Sequence, residues 1–420
     1  MVLRVLIVTY YWPPSGGGGV QRWVKFASHL KKLGCEPIIY TPENPDVPLQ
    51  DPSLLKELPE GIEVIKRPIF EPYKLAGLIK GGSASGRLGA SGVSEDEKLS
   101  LGKKLALWVR GNFFIPDARV AWVKPSVKFL SKWLEANSID AIITTGPPHS
   151  MHLIGLGLKN KNKSLKWVAD FRDPWSDMDY LSEFRMSPKS ILKMERLEQS
   201  VVSSADKLIV TSKGASSKLL KGCGSDNSVF IPNGWDEDDF PKSRARKKEG
   251  SEIRIGHFGS LHGSRDVEGL WKAISENNDP IKLVFAGSVE GSITSKLETH
   301  GILDSCEFLG NLPHKESIIE MLKCDILLII HNDTESAKSS TPGKLFEYLA
   351  TSIPIISFCH KDGDLARVLN SMNLPHSSHR DVEGAKEMLR TYNLQKSANA
   401  APFTRKNLTA ELIEVLKAIQ

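Results

Sequence analysis

Short apolar runs, each bounded by Gly, Pro or Asn, alternate along this chain with helix-length stretches that mix apolar and polar positions. Runs of the first kind predict strands buried on both faces, and the stretches between them predict helices with one face turned to a core. In the first half the predicted strands include Val5-Leu6-Ile7-Val8, Pro37-Ile38-Ile39-Tyr40, Ala141-Ile142-Ile143-Thr144, Trp167-Val168-Ala169 and Lys207-Leu208-Ile209-Val210. After the first of them Val20, Trp23, Val24, Ala27 and Leu30 return at helical spacing. Strand, helix and strand in that order predict right-handed crossovers in a parallel sheet.

The same rhythm restarts after a charged, serine-containing stretch at 242–251, with Ile253-Arg-Ile-Gly-His-Phe-Gly259. Further strands are expected at 282–286, 306–309, 325–330 and 354–358, again with helical segments between them. An interdomain linker is therefore placed at 242–251, followed by a second doubly wound domain. Residues 81–94, rich in Gly and Ser, hold too little apolar surface to offset ordering and predict a mobile loop. Apolar positions across 408–419 predict a final helix.

Length supports two domains, because 420 residues exceed the size, about 250 to 300, at which single cores stop growing. Hydrophobic residues at 40% and charged residues at 25% argue against global disorder. Fifty-five basic residues stand against 50 acidic ones, a balance that gives no reason to expect a nucleic-acid partner. Cys35, Cys223, Cys306, Cys324 and Cys359 lie far apart with no CxxC pair, so neither a zinc site nor a disulfide framework is expected, and a reducing cytoplasm fits. The apolar start runs directly into Trp12-Pro-Pro and reads as a first strand rather than a targeting segment. No apolar stretch reaches the roughly 18 residues of a membrane span, so any membrane contact is expected to be peripheral.

Candidate chemistry gathers at the ends of predicted strands. Pro13-Pro14-Ser15-Gly16-Gly17-Gly18-Gly19-Val20 would let backbone N–H groups approach an anion at a helix start. Gln21 stands where GxGxxG has its last glycine, and no Gly-Lys-Ser/Thr follows, which weakens dehydrogenase and P-loop readings. A flexible turn is the plain alternative. Gly146-Pro147-Pro148-His149-Ser150-Met151-His152 places a histidine, His149 foremost, where open α/β sheets bind ligands. Ala169-Asp170-Phe171-Arg172-Asp173-Pro174-Trp175 sets carboxylates, a guanidinium and an aromatic plate in one turn, suited to sugar hydroxyls and a sugar face, or else an Asp-Arg pair that fixes the turn. Ile231-Pro232-Asn233-Gly234 permits a left-handed turn and has a hinge as its simpler explanation. In 256–266 a second glycine-rich loop carries Arg265, whose planar fork suits a pyrophosphate. At 339–350, Pro342-Gly343-Lys344 opens a helix that would receive phosphate, with Glu347 one turn in and able to accept two ribose hydroxyls. Leu345, Phe346 and Leu349 make that same helix's core face.

Together, Pro-Pro-Ser-Gly-Gly-Gly-Gly, Asp-Phe-Arg-Asp-Pro-Trp, Ile-Pro-Asn-Gly-Trp-Asp, His-Phe-Gly-Ser-Leu and Pro-Gly-Lys-Leu-Phe-Glu-Tyr-Leu-Ala resemble the retaining glycosyltransferases of family four. The resemblance covers nearly the whole chain and is greatest to the branch that builds bacterial surface polysaccharides. It implies the GT-B fold, an α/β architecture of two Rossmann-like doubly wound domains facing across a cleft that holds the active site. Residues 1–240, with a returning helix at 405–420, would bind the acceptor, and 251–404 the nucleoside diphosphate sugar. The donor-binding residues implied are Gly17, Gly18, Gly19, Asn233, Gly259, Ser260, Arg265, Leu312, Pro342, Gly343, Lys344, Leu345 and Glu347. The catalytic residues implied are His149, Asp173, Arg265 and Glu347. The family often carries two glutamates with seven residues between them, yet here Ser339 stands at the first position and Glu335 lies upstream. Ser339, Ser340 and backbone groups would then meet the donor sugar.

The reaction implied is glycosyl transfer with retention, from a UDP- or GDP-type donor to a saccharide or lipid-linked acceptor. No separate cofactor and no metal are expected, since Asp177-Met-Asp179 has DxD spacing but falls in the first domain. The basic and aromatic segments 103–110 and 122–124 would touch the inner membrane or else belong to ordinary helices. A nucleotide-sugar epimerase of the same fold and a non-catalytic nucleotide-sugar-binding protein remain as alternatives.

Overall fold

In the computed structural model, residues 2–47, 50–71, 101–176, 178–221, 227–241 and 252–420 are described. The chain divides into two compact units, one of Met1–Ile231 with Thr409–Gln420 and the other of Pro232–Leu408. The chain thus passes from one unit to the next between Ile231 and Pro232. The linker expected at 242–251 and the loop expected at 81–94 lie outside the described residues.

The first unit holds a seven-stranded sheet in the order β3-β2-β1-β4-β5-β6-β7. Its strands are β1 (Arg4–Val8), β2 (Glu36–Pro42), β3 (Glu63–Arg67), β4 (Ala141–Gly146), β5 (Trp167–Phe171), β6 (Lys207–Val210) and β7 (Ser228–Phe230), and every pairing is parallel. Val5, Leu6, Ile7 and Val8 are all buried, as a strand covered on both faces requires. The described helices are α1 (Gly18–Lys32), α2 (Leu101–Phe113), α3 (Val120–Ala136), α4 (Ser150–Lys161), α5 (Pro188–Ser204) and α6 (Lys213–Leu219). The five apolar positions of α1 that set its period are buried, and Arg22 on the same helix is buried with them. Helix α5 starts at Pro188 with the Ser187 side chain accepting from the Ser190 N–H, the usual way a first turn is satisfied.

The second unit repeats the plan with six parallel strands in the order β10-β9-β8-β11-β12-β13. They are β8 (Ile253–Phe258), β9 (Ile281–Ala286), β10 (Cys306–Gly310), β11 (Ile326–Ile330), β12 (Ile355–Phe358) and β13 (His376–Ser377). Helices α7 (Glu268–Ser275), α8 (Gly291–Thr299), α9 (His314–Met321), α10 (Lys344–Thr351), α11 (Asp364–Ser371), α12 (Val382–Thr391) and α13 (Arg405–Ala418) complete the chain. In both sheets the strand order reverses beside the first strand, at β1/β4 and at β8/β11, which makes the loops after those strands the natural ligand positions.

Of the two readings of segment 122–124, Trp122 fits the ordinary helix: it is 1% exposed and stacks on Tyr40 with ring centroids 5.4 Å apart. An indole gains more by filling the gap between α3 and β2 than by lying in water. Trp108 of α2 does stand exposed. No described helix is long and apolar enough to cross a membrane.

Candidate functional site

In the second unit, the turn after β8 and the start of α10 meet. Gly259 has φ 135°, and a Cβ there would lie 2.6 Å from Lys344 Nζ, so only glycine leaves room for the ammonium. Gly287 backs this turn at φ 129°, where a Cβ would lie 2.6 Å from the Gly259 carbonyl carbon. Arg265 is fixed by two neutral acceptors, Asn332 Oδ1 at 2.6 Å from Nε and the Ser260 carbonyl at 2.7 Å from Nη1. Ser260 Oγ receives the Ser288 hydroxyl at 2.9 Å. Neither Arg265 nor Lys344 forms an ion pair among the described residues, and the charge of Glu347, the one carboxylate acting on Lys344, does not offset burial and Arg265. Burial lowers the Arg265 guanidinium from its ordinary value.

The entry to α10 leaves donors and an acceptor open. Among the described residues the N–H groups of Gly343 and Lys344 meet no acceptor, and the buried Thr341 Oγ1 has no hydrogen-bond partner. The Asn233 side chain lies over Gly343, whose Cβ would come within 3.1 Å of Asn233 Nδ2. Pro342 accepts from the Leu345 N–H at 3.1 Å, and the Leu345 side chain is fully buried. The Leu345 N–H is thus taken by Pro342 and its side chain by the core. Leu312 is partly buried against the same apolar core.

Glu347, one turn into α10, accepts from His314 Nε2 at 2.9 Å, and His314 Nδ1 faces Asp239 Oδ2 at 3.9 Å. Burial alone would raise the Glu347 carboxyl; the His314 hydrogen bond and the charges of His314, Arg405 and Lys344 outweigh it and hold the group below its ordinary value. Burial would lower His314, but its two carboxylate neighbours, Glu347 first, raise it. One Glu347 oxygen is thus held by the His314 ring while the other is left for a hydroxyl donor. Ser339 is buried, and Ser340 shares a 3.0 Å hydrogen bond with His331 Nε2.

In the first unit the turns after β1, β4 and β5 pack together. Gly17 has φ 100° and caps the start of α1, and a Cβ on Gly19 would lie 1.8 Å from Arg172 Nη1. Gly18 lies between them as the first residue of α1. Arg172 in turn donates from Nε to the Gly146 carbonyl at 3.0 Å and from Nη2 to the Pro147 carbonyl. At Gly19 the missing Cβ serves to admit a guanidinium. Asp170, 0% exposed, accepts from Arg22, Trp23 and Thr145 at 2.8–3.0 Å, which makes it a buried anchor. Asp173 makes no hydrogen bond among the described residues, and burial raises its carboxyl against the pull of Arg172. His149 is 3% exposed, with both ring nitrogens unpartnered among the described residues. Burial and the Arg172 charge push it down to about 3, so the ring is neutral. His152 is wholly buried and stacked on Phe171 at 4.3 Å. Of the DxD-spaced pair, Asp177 lies outside the described residues.

Arg22, His257, His314, His331 and Asn332 were not assigned from the sequence. His331 meets Ser340 nine residues on, but the others meet their partners across long stretches of chain, 67 residues for Asn332 to Arg265 and 148 for Arg22 to Asp170, which no local spacing reports.

No protein-family model matches the sequence, and no curated protein matches it. Solved structures do match in fold. A glycosyltransferase from Rickettsia africae superposes with TM-score 0.63 at 13% identity, covering 100% of this chain and 98% of that one. HepE of Anabaena, solved in complex with UDP, gives 0.62 at 12% identity over 99% and 100%. A protein from Listeria monocytogenes described as a UDP-N-acetylglucosamine 2-epimerase gives 0.56 at 10% identity over 100% and 96%. The likeness shows the fold, two α/β units with parallel sheets in the manner of GT-B glycosyltransferases.

Proposed function

We propose that this protein is a retaining glycosyltransferase that moves a sugar from a UDP- or GDP-linked donor to a saccharide or lipid-linked acceptor, in cell-surface polysaccharide synthesis. The observation that carries the reading is the pair of basic groups Arg265 and Lys344, in no ion pair among the described residues, beside the open N–H groups of α10 and the constricted Gly259 turn. A diphosphate supplies the missing charge, and negative charge grows on it as the sugar departs, which is where fixed donors help most. Glu347 receives ribose hydroxyls through its unshared oxygen. The first unit presents the acceptor, with His149, Asp173 and the Gly17–Gly19 turn at its strand ends. In the transfer the bond from the anomeric carbon to the phosphate oxygen breaks, a bond to the acceptor oxygen forms on the same face, and the acceptor proton passes to the departing diphosphate. The enzyme acts in the cytoplasm, peripheral to the inner membrane, without a separate cofactor or metal.

A panel of nucleotide sugars tested by thermal unfolding checks this. A ligand at a hundred times its Kd stabilises by about 2.7 kcal/mol, a shift of roughly 2–4 °C or less for a chain of this size. One diphosphate sugar should raise Tm, while the matching nucleoside monophosphate should not. No response to any donor would remove the reading. Because an epimerase shares the fold, product analysis decides between them: nucleoside diphosphate released only when an acceptor is present marks transfer.

A further inference from the structure

Lys344 is held by a residue that the donor reading does not use. His257, on β8, is wholly buried, and its Nδ1 lies 3.0 Å from the Leu328 carbonyl. A carbonyl only accepts, so Nδ1 carries the proton and the neutral ring keeps a lone pair on Nε2. Burial, then the charges of Lys344 and Arg265, keep the ring neutral. That Nε2 lies 3.4 Å from Lys344 Nζ, and the Ser260 backbone also meets the ring.

Every element packed around the ammonium leaves it short of negative charge. The turn after β8 brings Arg265 and the β-carbon-free Gly259. The segment after β11 brings His331, which burial and then Arg265 push down to about 4, so that it is neutral. Its own helix brings Glu347, already engaged by His314 of α9 with Arg405 of α13 nearby.

We propose that His257 is a positioning residue that accepts a hydrogen bond from the Lys344 ammonium and holds it against Gly259, so that a diphosphate entering this turn binds together with one proton. The inference rests on the reading that this turn takes the donor's diphosphate. Burial, followed by the Arg265 charge, pushes Lys344 down to about 7. An arriving anion favours the charged amine again, so its pKa rises on binding. Binding is therefore complete below pH 7 and weakens above it, at up to about tenfold per pH unit.

Isothermal titration with UDP and with GDP, at pH 8 in buffers of differing ionisation enthalpy, reads the proton directly. The terminal phosphate, with a pKa of about 6, is already ionised there and does not contribute. Wild-type protein should take up close to one proton, and its Kd should rise by roughly tenfold from pH 7 to pH 8.5. Lys344→Met should abolish the uptake. His257→Phe should weaken binding at pH 7 by about tenfold, and His257→Gln, which keeps an acceptor facing the amine, should restore most of it. Should His257→Phe fail to fold, nitrogen-15 spectra of the wild type decide: a proton on Nε2 of His257 overturns the proposal, and one on Nδ1 upholds it. Nucleotide binding without proton uptake, or uptake that survives in Lys344→Met, overturns it while leaving the donor reading intact. Failure of both nucleotides to bind removes the donor reading and this inference with it.

Discussion

Asp170→Ala should lower the unfolding free energy by about 3–5 kcal/mol, the usual cost of stranding one member of a buried ion pair. The carboxylate sits inside the first sheet at β5 and gathers Arg22, the Trp23 indole N–H and the Thr145 hydroxyl on its two oxygens. Arg22 and Asp170 have side-chain exposures of 1% and 0%, so water cannot replace the lost partner. Arg22 also donates to the Ile231 carbonyl at 3.0 Å, which ties the last residue of the first unit's main segment to α1. Burial would raise the Asp170 carboxyl, but Arg22 outweighs it, and the group stays below its ordinary value. A depressed carboxyl contributes stability that is present above its unfolded pKa, about 3.9, and is lost as pH falls below that. The excess instability of the variant should accordingly shrink on acidification. Urea unfolding followed by tryptophan emission measures it, and a loss under 1 kcal/mol would show that the pair is dispensable. Adding Arg22→Met to the variant should recover part of the loss, because the stranded charge goes with it.

Much of the fold was legible because parallel sheets bury both faces of their strands. A run such as Val5-Leu6-Ile7-Val8 has no polar alternation to confuse it. The restart at Ile253 was equally plain, while the passage between units at Ile231 and Pro232 was not, since that peptide belongs to a short turn with no change of composition. At the site, Gly259, Arg265, Lys344 and Glu347 were readable as turn glycine, fork, ammonium and carboxylate at strand and helix ends. The residues that orient them were not. His257 looks like one more position in an apolar strand, and His314 follows a proline far from Glu347; only pairing β8 with β11 and packing α9 beside α10 gives them their partners. The glycine run after β1 was legible as a close approach, but the group that approaches Gly19 is Arg172 of the same unit. Trp122 left two readings open for a related reason: a basic-aromatic segment reads the same whether its indole turns to a surface or onto Tyr40.

Arg265→Ala should lower kcat/KM for the donor by about 100- to 1000-fold, with most of the loss in kcat. The guanidinium is already aimed, since Asn332 and the Ser260 carbonyl take Nε and Nη1, leaving Nη2 without an acceptor among the described residues. A donor held this way need not reorganise as charge moves onto the diphosphate, and its removal weakens the transition state more than the ground state. Arg265→Lys should recover only part of the loss, because an ammonium restores charge without the planar fork. Asn332→Ala keeps the charge but frees its direction, so its effect should be smaller and fall on kcat rather than on KM. Steady-state rates with the best donor from the thermal panel give all three values. Turnover of Arg265→Ala within threefold of wild type would mean that the departing diphosphate is stabilised elsewhere, and the unpaired cations beside α10 would then need another ligand to account for them.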